Sequence, residues 1–170
     1  MQRAAACVTA ALFFLCCGCS HEGSKDPALD AGQIGAITAE VHTWTQQVAR
    51  DVTTEGPRAW LKYLETGPEF FMAVNGHIQF QRGSAVAPAL EQFAAGIEHI
   101  ALTWGADLRI DPLTQNLAMV ASSYHETQAP RAGAKVEEDG YFTALAERRP
   151  GGWQFRNAHW SMRASLSPGR

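Results

Sequence analysis

Cysteine is scarce in this chain: the 4 cysteines all lie between positions 7 and 19. The rest of the 170 residues therefore cannot form a disulfide, supply a thiolate nucleophile or bind a metal through cysteine. A domain without these devices depends on its hydrophobic core. With 46% hydrophobic and 18% charged residues, the sequence has the composition of a globular protein and the length of one domain.

Positive charge is also scarce. The chain has 14 Lys and Arg residues against 17 Asp and Glu, a formal net charge of −3. Nucleic-acid binding normally needs a basic face that displaces counterions. We therefore expect no nucleic-acid partner and no direct contact of the domain with an anionic membrane surface.

Motifs for metals and cofactors are missing as well. The sequence has no Gly-rich phosphate loop and no nucleophile elbow, and no two histidines have metal-ligand spacing. We expect no metal site and no cofactor. The 6 histidines are scattered over positions 21, 42, 77, 99, 125 and 159.

The first residues have the features of an export signal. Arg3 supplies a positive charge, and residues 4–15 form an apolar stretch. A helix needs roughly 20 apolar residues to cross a bilayer, so this stretch is too short to span one. Its length is typical of the hydrophobic region of a signal peptide.

The end of this stretch resembles the bacterial lipobox, in which small residues precede the cysteine that receives the lipid. Cys19 fits best because Gly18 comes directly before it, and Cys16 and Cys17 are alternatives. An ordinary cleaved signal peptide is the other interpretation. The expected divisions are a lipoprotein signal peptide (1–18), a flexible tether (19–32), one domain (33–163) and a C-terminal tail (164–170).

Such a leader predicts a protein anchored by its lipid to the bacterial cell envelope, on the periplasmic side of the outer membrane. The lipid would be its only contact with the membrane. The polar segment after Cys19 contains Gly and Pro, as flexible tethers do.

Hydrophobic periodicity predicts three helices and a hairpin. Apolar residues three and four apart indicate a first helix over 33–54. Gly56-Pro57 ends it and opens a second helix, and Ser84 could cap a third that runs to about Gly96. Asn75-Gly76 between two strand-like segments is the usual sequence of a tight hairpin turn.

The remainder alternates as strands do. The predicted strands cover 99–110, 117–127, 141–149 and 153–162, and residues 130–139 are expected to form an exposed loop. Helices followed by successive strands indicate an α+β fold. We expect a curved antiparallel sheet wrapped on three helices, forming a cone with a pocket.

Several local motifs make the chain similar to the nuclear transport factor 2-like superfamily, and within it to SnoaL-like domains. They are Phe70-Phe71-Met72 before the Asn-Gly turn, Gly83, Gly140, and a final Gly-Trp-x-Phe-x-Asn-x-His-x-Ser segment. The similarity extends from Gln33 to Ser161. It implies the cone fold, a small-molecule pocket inside the cone, and a homodimer formed through the outer face of the sheet.

Polar residues on the last strand are candidates for chemistry. Trp153, Phe155, Asn157, His159 and Ser161 share one face by the period of two, and the two aromatic residues suggest that this face points inward. His159 would then be a general base near neutral pH. The alternative is a structural histidine bonded to the backbone or to Ser161.

Tyr124 and Glu126 share one face of a neighbouring strand, with His125 on the other. Tyr124 offers a hydroxyl donor, and Glu126, if buried, would have a raised pKa suited to proton transfer. The alternative is a carboxylate in solvent at a strand end.

The residues expected to bind a ligand are Asn157, Ser161, Trp44, Phe71 and Trp104. The three aromatic residues, like Trp60, could instead fill the core. The leading hypothesis is a non-catalytic domain that binds a small apolar or amphipathic molecule. One alternative is an enzyme of the isomerase, dehydratase or epoxide hydrolase type, and another is a dimeric interaction module.

The lipoprotein hypothesis makes a direct prediction. Because two or more acyl chains anchor a protein stably, Cys19→Ala should release the protein from membranes or block its processing. Membrane fractionation and the mass of the mature protein measure this. A variant that fractionates and matures as the wild type does would contradict the lipid anchor.

Overall fold

The computed structural model describes residues 28–163. The described residues do not include the expected signal peptide, the lipidation site Cys19, residues 19–27 of the expected tether or the tail at 164–170. Residues 31 and 32 of the expected tether belong to a helix. Within 28–163 no helix is long and apolar enough to cross a membrane.

The described chain contains two α-helices, two short 3-10 helices and one sheet. The helical segments are α1 (Ala31–Glu55), a 3-10 helix (Pro57–Lys62), a 3-10 turn (Gly83–Ala85) and α2 (Val86–Gly96). The strands are β1 (Phe71–Val74), β2 (His77–Phe80), β3 (Ile97–Trp104), β4 (Arg109–Thr114), β5 (Leu117–Pro130), β6 (Val136–Arg149) and β7 (Gly152–Met162).

The first helix begins two residues before the expected position, at Ala31, because a capping box starts it. The Asp30 side chain accepts from the Gln33 amide at 2.8 Å, and the Gln33 side chain accepts from the Asp30 amide at 2.9 Å. Ile34 is exposed, although the apolar stripe included it. The buried face consists of Ile37, Val41, Thr45, Val48, Ala49 and Val52.

The predicted hairpin is confirmed. Asn75 and Gly76 have φ values of 49° and 80° between β1 and β2, the positive values that a type I′ turn requires. The second predicted helix is a short 3-10 helix. Ser84 does not cap the third helix: α2 starts from Ala85 with no side-chain cap, because a 3-10 turn already leads into it.

The sheet is curved and antiparallel except for one pair. Its strand order is β2-β1-β7-β6-β5-β3, and β4 also pairs with β5. β1 runs parallel to β7, with Phe71 opposite Asn157. The fold is the expected α+β class, with the sheet wrapped on the helices.

Five strands follow α2, where four were expected, because the predicted strand over 99–110 is interrupted. The Gly105 amide donates to the Ser123 carbonyl at 2.8 Å. Asp107 then accepts from the Ser123 amide at 3.0 Å, so a side chain replaces the regular backbone pairing there. The expected loop over 130–139 is also shorter, since β6 already starts at Val136.

A β-bulge in β7 changes which side chains face inward. Ala146 pairs with Phe155, but its neighbour Leu145 pairs with Asn157, so Arg156 is an extra residue. One extra residue moves all later side chains to the opposite face. Trp153 and Phe155 are buried before the bulge, and Ala158 is buried after it.

Aromatic rings connect α1 to the inner face of the sheet. The Trp44 ring lies 4.5 Å from that of Phe155, which is 5.2 Å from Phe142; Phe142 is in turn 4.6 Å from Trp160. The Trp104 indole donates to the Thr45 carbonyl of α1 at 2.8 Å. The core therefore lies between α1 and the concave side of the sheet.

Docking of α1 can be tested at Trp44, which is half-buried against Phe155 and Tyr63. Truncating a buried Trp costs about 3–5 kcal/mol, and we expect Trp44→Ala to cost about 3 kcal/mol. Ile34→Ala on the exposed side of the same helix is the control. Equal midpoints for both variants in urea unfolding would show that Trp44 does not hold α1 on the sheet.

Candidate functional site

A cavity of about 380 Å³ lies between α2, the first 3-10 helix, the β1–β2 hairpin and the concave face of the sheet. Buried residues form its interior and half-buried residues such as Phe93 and Met162 its outer part. Its lining consists of Trp60, Leu64, Met72, Val74, Gln79, Phe80, Ala89, Leu90, Phe93, Tyr124, Glu126, Gln128, Glu138, Trp160 and Met162.

One wall of this cavity is polar. Tyr124, Glu126 and Gln128 stand on one face of β5 because every second residue of a strand points the same way. Glu138 on β6 is directly opposite Glu126 in the antiparallel register. Two carboxyl groups, an amide and a phenol thus share the concave side of two paired strands.

Glu126 is the buried acid of this wall, with 9% of its surface exposed. Burial raises its pKa to about 7, with the charge of Glu138 as a further cause of the increase. The Gln128 amide opposes this effect, since it donates to Oε1 of Glu126 at 2.6 Å. A carboxyl group that gains or loses its proton near neutral pH is suited to proton exchange with a bound molecule.

Tyr124 provides a hydroxyl beside this acid. Burial raises its pKa to about 12, with the charges of Glu138 and Glu126 as further causes, so the hydroxyl stays protonated at neutral pH. Its ring packs edge-on against Trp160 at 4.6 Å. Gly140 leaves room for the phenol, because a Cβ at Gly140 would lie 2.7 Å from the hydroxyl oxygen.

The remaining walls are apolar except for Gln79 on β2. α2 contributes Leu90 and Phe93, and the helical segment before the hairpin contributes Trp60 and Leu64. Phe80 closes the cavity from β2. An apolar enclosure with a few polar groups on one side is the usual form of a small-molecule pocket.

The prediction that His159 faces the cone is wrong, because the bulge at Arg156 turns it to the outer face, where it is exposed. Asn157 and Ser161 are not in the cavity either. The Asn157 side chain accepts from the Leu145 amide at 3.1 Å, beside the bulge, and the Ser161 hydroxyl donates to the Tyr141 carbonyl at 3.3 Å. Trp160 enters the cavity in their place.

The three aromatic residues expected to bind ligand do not line the cavity. Phe71 is 44% exposed, while its neighbour Met72 points inward. Trp44 packs on the core, and the Trp104 ring lies 5.1 Å from the Phe142 ring, tilted by 38°. The alternative interpretation, that these rings fill the core, therefore applies to Trp44 and Trp104. Phe71 neither lines the cavity nor fills the core.

Tyr124 and Glu126 lie together in the cavity, and His125 is exposed on the opposite face, as the period of two predicted. The alternative of a solvated Glu126 is wrong. Sequence reasoning missed Glu138 because it assigned that position to a loop. Counting back by two from buried Phe142 through Gly140 would have placed Glu138 on the inner face.

The described part of the chain, residues 28–163, contains no group of three or more His, Cys, Asp or Glu residues that could hold a metal ion. Glu126 can take or give a proton near neutral pH, and Tyr124 can donate a hydrogen bond.

Known proteins are similar to this chain in their fold. No protein-family model matches the sequence, and no curated protein sequence matches it significantly. A nuclear transport factor 2-like superfamily protein from Salmonella enterica aligns with a TM-score of 0.60 and 17% identity, over 82% of this chain and 96% of that one.

Two further solved structures are similar. A conserved protein from Planctomyces limnophilus has a TM-score of 0.61 and 17% identity, over 76% of this chain and 98% of its own. A hexachlorocyclohexane dehydrochlorinase, LinA type 2, has a TM-score of 0.57 and 12% identity, over 78% of this chain and 94% of its own. At these identities the likeness concerns architecture alone: the chain has the cone-shaped nuclear transport factor 2-like fold.

Proposed function

We propose that this protein binds a small apolar or amphipathic molecule inside the cone. The observation that carries the proposal is the cavity of about 380 Å³ with one polar wall, which falls within the usual range of about 300–1,000 Å³ for ligand pockets. Burying a ligand there removes apolar surface from water, and the polar wall fixes its orientation.

Names of structural neighbours are compatible with this proposal. LinA is a hexachlorocyclohexane dehydrochlorinase, so a protein with this fold acts on a small apolar molecule. The similarity does not transfer its reaction, and the proposal rests on the cavity of the chain itself.

The setting of the domain is also a proposal. We place it at the bacterial cell envelope, held by a lipid on Cys19, on the periplasmic side of the outer membrane. We further propose a homodimer formed through the outer sheet face, on which Met119 and Tyr141 are exposed apolar side chains.

A second candidate function is proton-transfer catalysis, as in isomerases or dehydratases. The observation that favours it is the burial of Glu126 beside Tyr124. Glu126 would take a proton from a carbon atom, and the Tyr124 hydroxyl would stabilise the charge that develops on a neighbouring oxygen. Exchange of the α-protons of 1-indanone in D2O, followed by NMR, would be faster with the wild type than with Glu126→Gln if this function holds.

Blocking the cavity tests the binding function. Ala89 lines the cavity on α2, so Ala89→Trp should fill it and weaken binding of the neutral probe N-phenyl-1-naphthylamine by at least about tenfold, or 1.4 kcal/mol. The probe's fluorescence gives the dissociation constant.

The control is Ala95→Trp, which adds the same side chain to the exposed side of α2. It should bind the probe as the wild type does. Equal affinity in all three proteins, or no binding by the wild type, would contradict a ligand pocket at this position.

The buried acid predicts a particular pH dependence of stability. The folded pKa of Glu126, about 7, is above the ordinary value of 4.5, so the folded chain holds a proton that the unfolded chain releases. The resulting stability is complete below pH 4.5 and is lost as the pH rises through 7. The free energy of unfolding that is lost in this way is about 3 kcal/mol.

Glu126→Gln should remove this loss, because glutamine has no proton to release. Urea unfolding at pH 5 and pH 8 measures the difference for each protein. Glu98→Gln, at an exposed position of β3, controls for the removal of one acidic group. If wild type and Glu126→Gln lose the same stability between the two pH values, Glu126 is not a buried acid.

A further inference from the structure

The charges of the cavity all have one sign. Glu126 and Glu138 line it, whereas no Lys, Arg or His is among its lining residues in the described chain. Most carboxylates elsewhere on the described domain have cationic partners, although Asp30, Glu98 and Asp107 form no ion pair. Examples are Glu40 with Arg148, Glu91 with Arg58, Asp111 with Arg109, Glu69 with Arg156, and Glu137 with Lys135.

Neither cavity acid has such a partner within residues 28–163. Glu126 receives one hydrogen bond, from Gln128 to Oε1, and Oε2 receives none from the described residues. Lys135, three positions before Glu138, is engaged with Glu137 at 2.9 Å. A buried carboxylate without a cation is unfavourable, and a cationic ligand would supply what the chain does not.

The acceptors in the polar wall match the donors of an ammonium group. A primary ammonium has three N–H donors. Glu126 and Glu138 face each other across β5 and β6 and offer carboxylate oxygens. Gln128 uses its amino group on Glu126, which leaves its carbonyl oxygen as a third acceptor in the same wall.

The other walls suit the body of an organic cation better than a metal ion. Trp60, Trp160 and Phe93 line the cavity with aromatic rings, which attract cations through their faces and pack against apolar groups. A hydrated metal ion would need several oxygen ligands and would leave these apolar surfaces unused. The cavity therefore fits a molecule with a charged end and an apolar body.

We infer that the cavity selects an organic cation, namely a protonated amine on a small apolar or aromatic body, whose ammonium group lies between Glu126 and Glu138. This inference rests on the proposed small-molecule-binding function and names its ligand class.

Three probes of nearly equal shape test the charge preference. They are 1-naphthylmethylamine (cationic at pH 7.5), 1-naphthalenemethanol (neutral) and 1-naphthoate (anionic), each titrated by isothermal calorimetry into the protein. We expect the amine to bind at least about tenfold tighter than the alcohol, because charge-assisted hydrogen bonds are the stronger ones, and we expect no binding of the anion.

The double variant Glu126→Gln/Glu138→Gln identifies the groups responsible. It should bind the amine no better than the alcohol, and cooperative urea unfolding reports that the variant is folded. Glu98→Gln/Asp139→Gln removes two acids at exposed positions of β3 and β6 and should keep the preference for the amine.

The outcomes separate the ligand class from the function. Equal or tighter binding of the alcohol by the wild type would overturn the cation preference and leave the pocket in place. A preference that survives in the double variant of Glu126 and Glu138 would overturn the assignment to these residues. Failure of all three probes to bind would contradict the proposed function itself.

Discussion

Inside β7, Arg156 is an extra residue without its own partner on β6, and the inward face passes from Phe155 to Ala158 across it. The side chains of a strand alternate strictly, so this single insertion assigns the second half of β7 to the opposite face. Trp160 then faces the cone and His159 the outside. The bulge therefore determines that an aromatic ring, and no imidazole, borders the cavity from this strand.

With an aromatic ring on β7, the polar chemistry of the cone comes from β5 and β6. Trp160 packs against Tyr124, and Gly140 provides the space that the phenol occupies. Glu126 follows two residues later on the same face, opposite Glu138. Glu126 is buried there, and burial is the main reason that its pKa lies near neutral.

Much of the fold could be predicted from local patterns. Three features depend on neighbours in the chain alone: the apolar stripe of α1, the Asn75-Gly76 turn and the alternation of β5. The alternation of β5 placed Tyr124 and Glu126 correctly on one face. The bulge at Arg156 depends on the register with β6, which a single strand does not encode. Glu138 was missed for a related reason: Gly140 reads as a loop residue until the Tyr124 ring that it accommodates is known.

Both proposals concern the same cavity, and the preference for a cation depends on a carboxyl group of its polar wall that is buried in the cone. Its titration is the most direct measurement of this claim. With ¹³C-labelled glutamate, the Cδ signal of Glu126, assigned by its loss in Glu126→Gln, can be followed by NMR from pH 4 to 9. The account predicts a midpoint at about 7. A midpoint near the ordinary glutamate value of 4.5 would show that Glu126 is in solvent and would contradict the account.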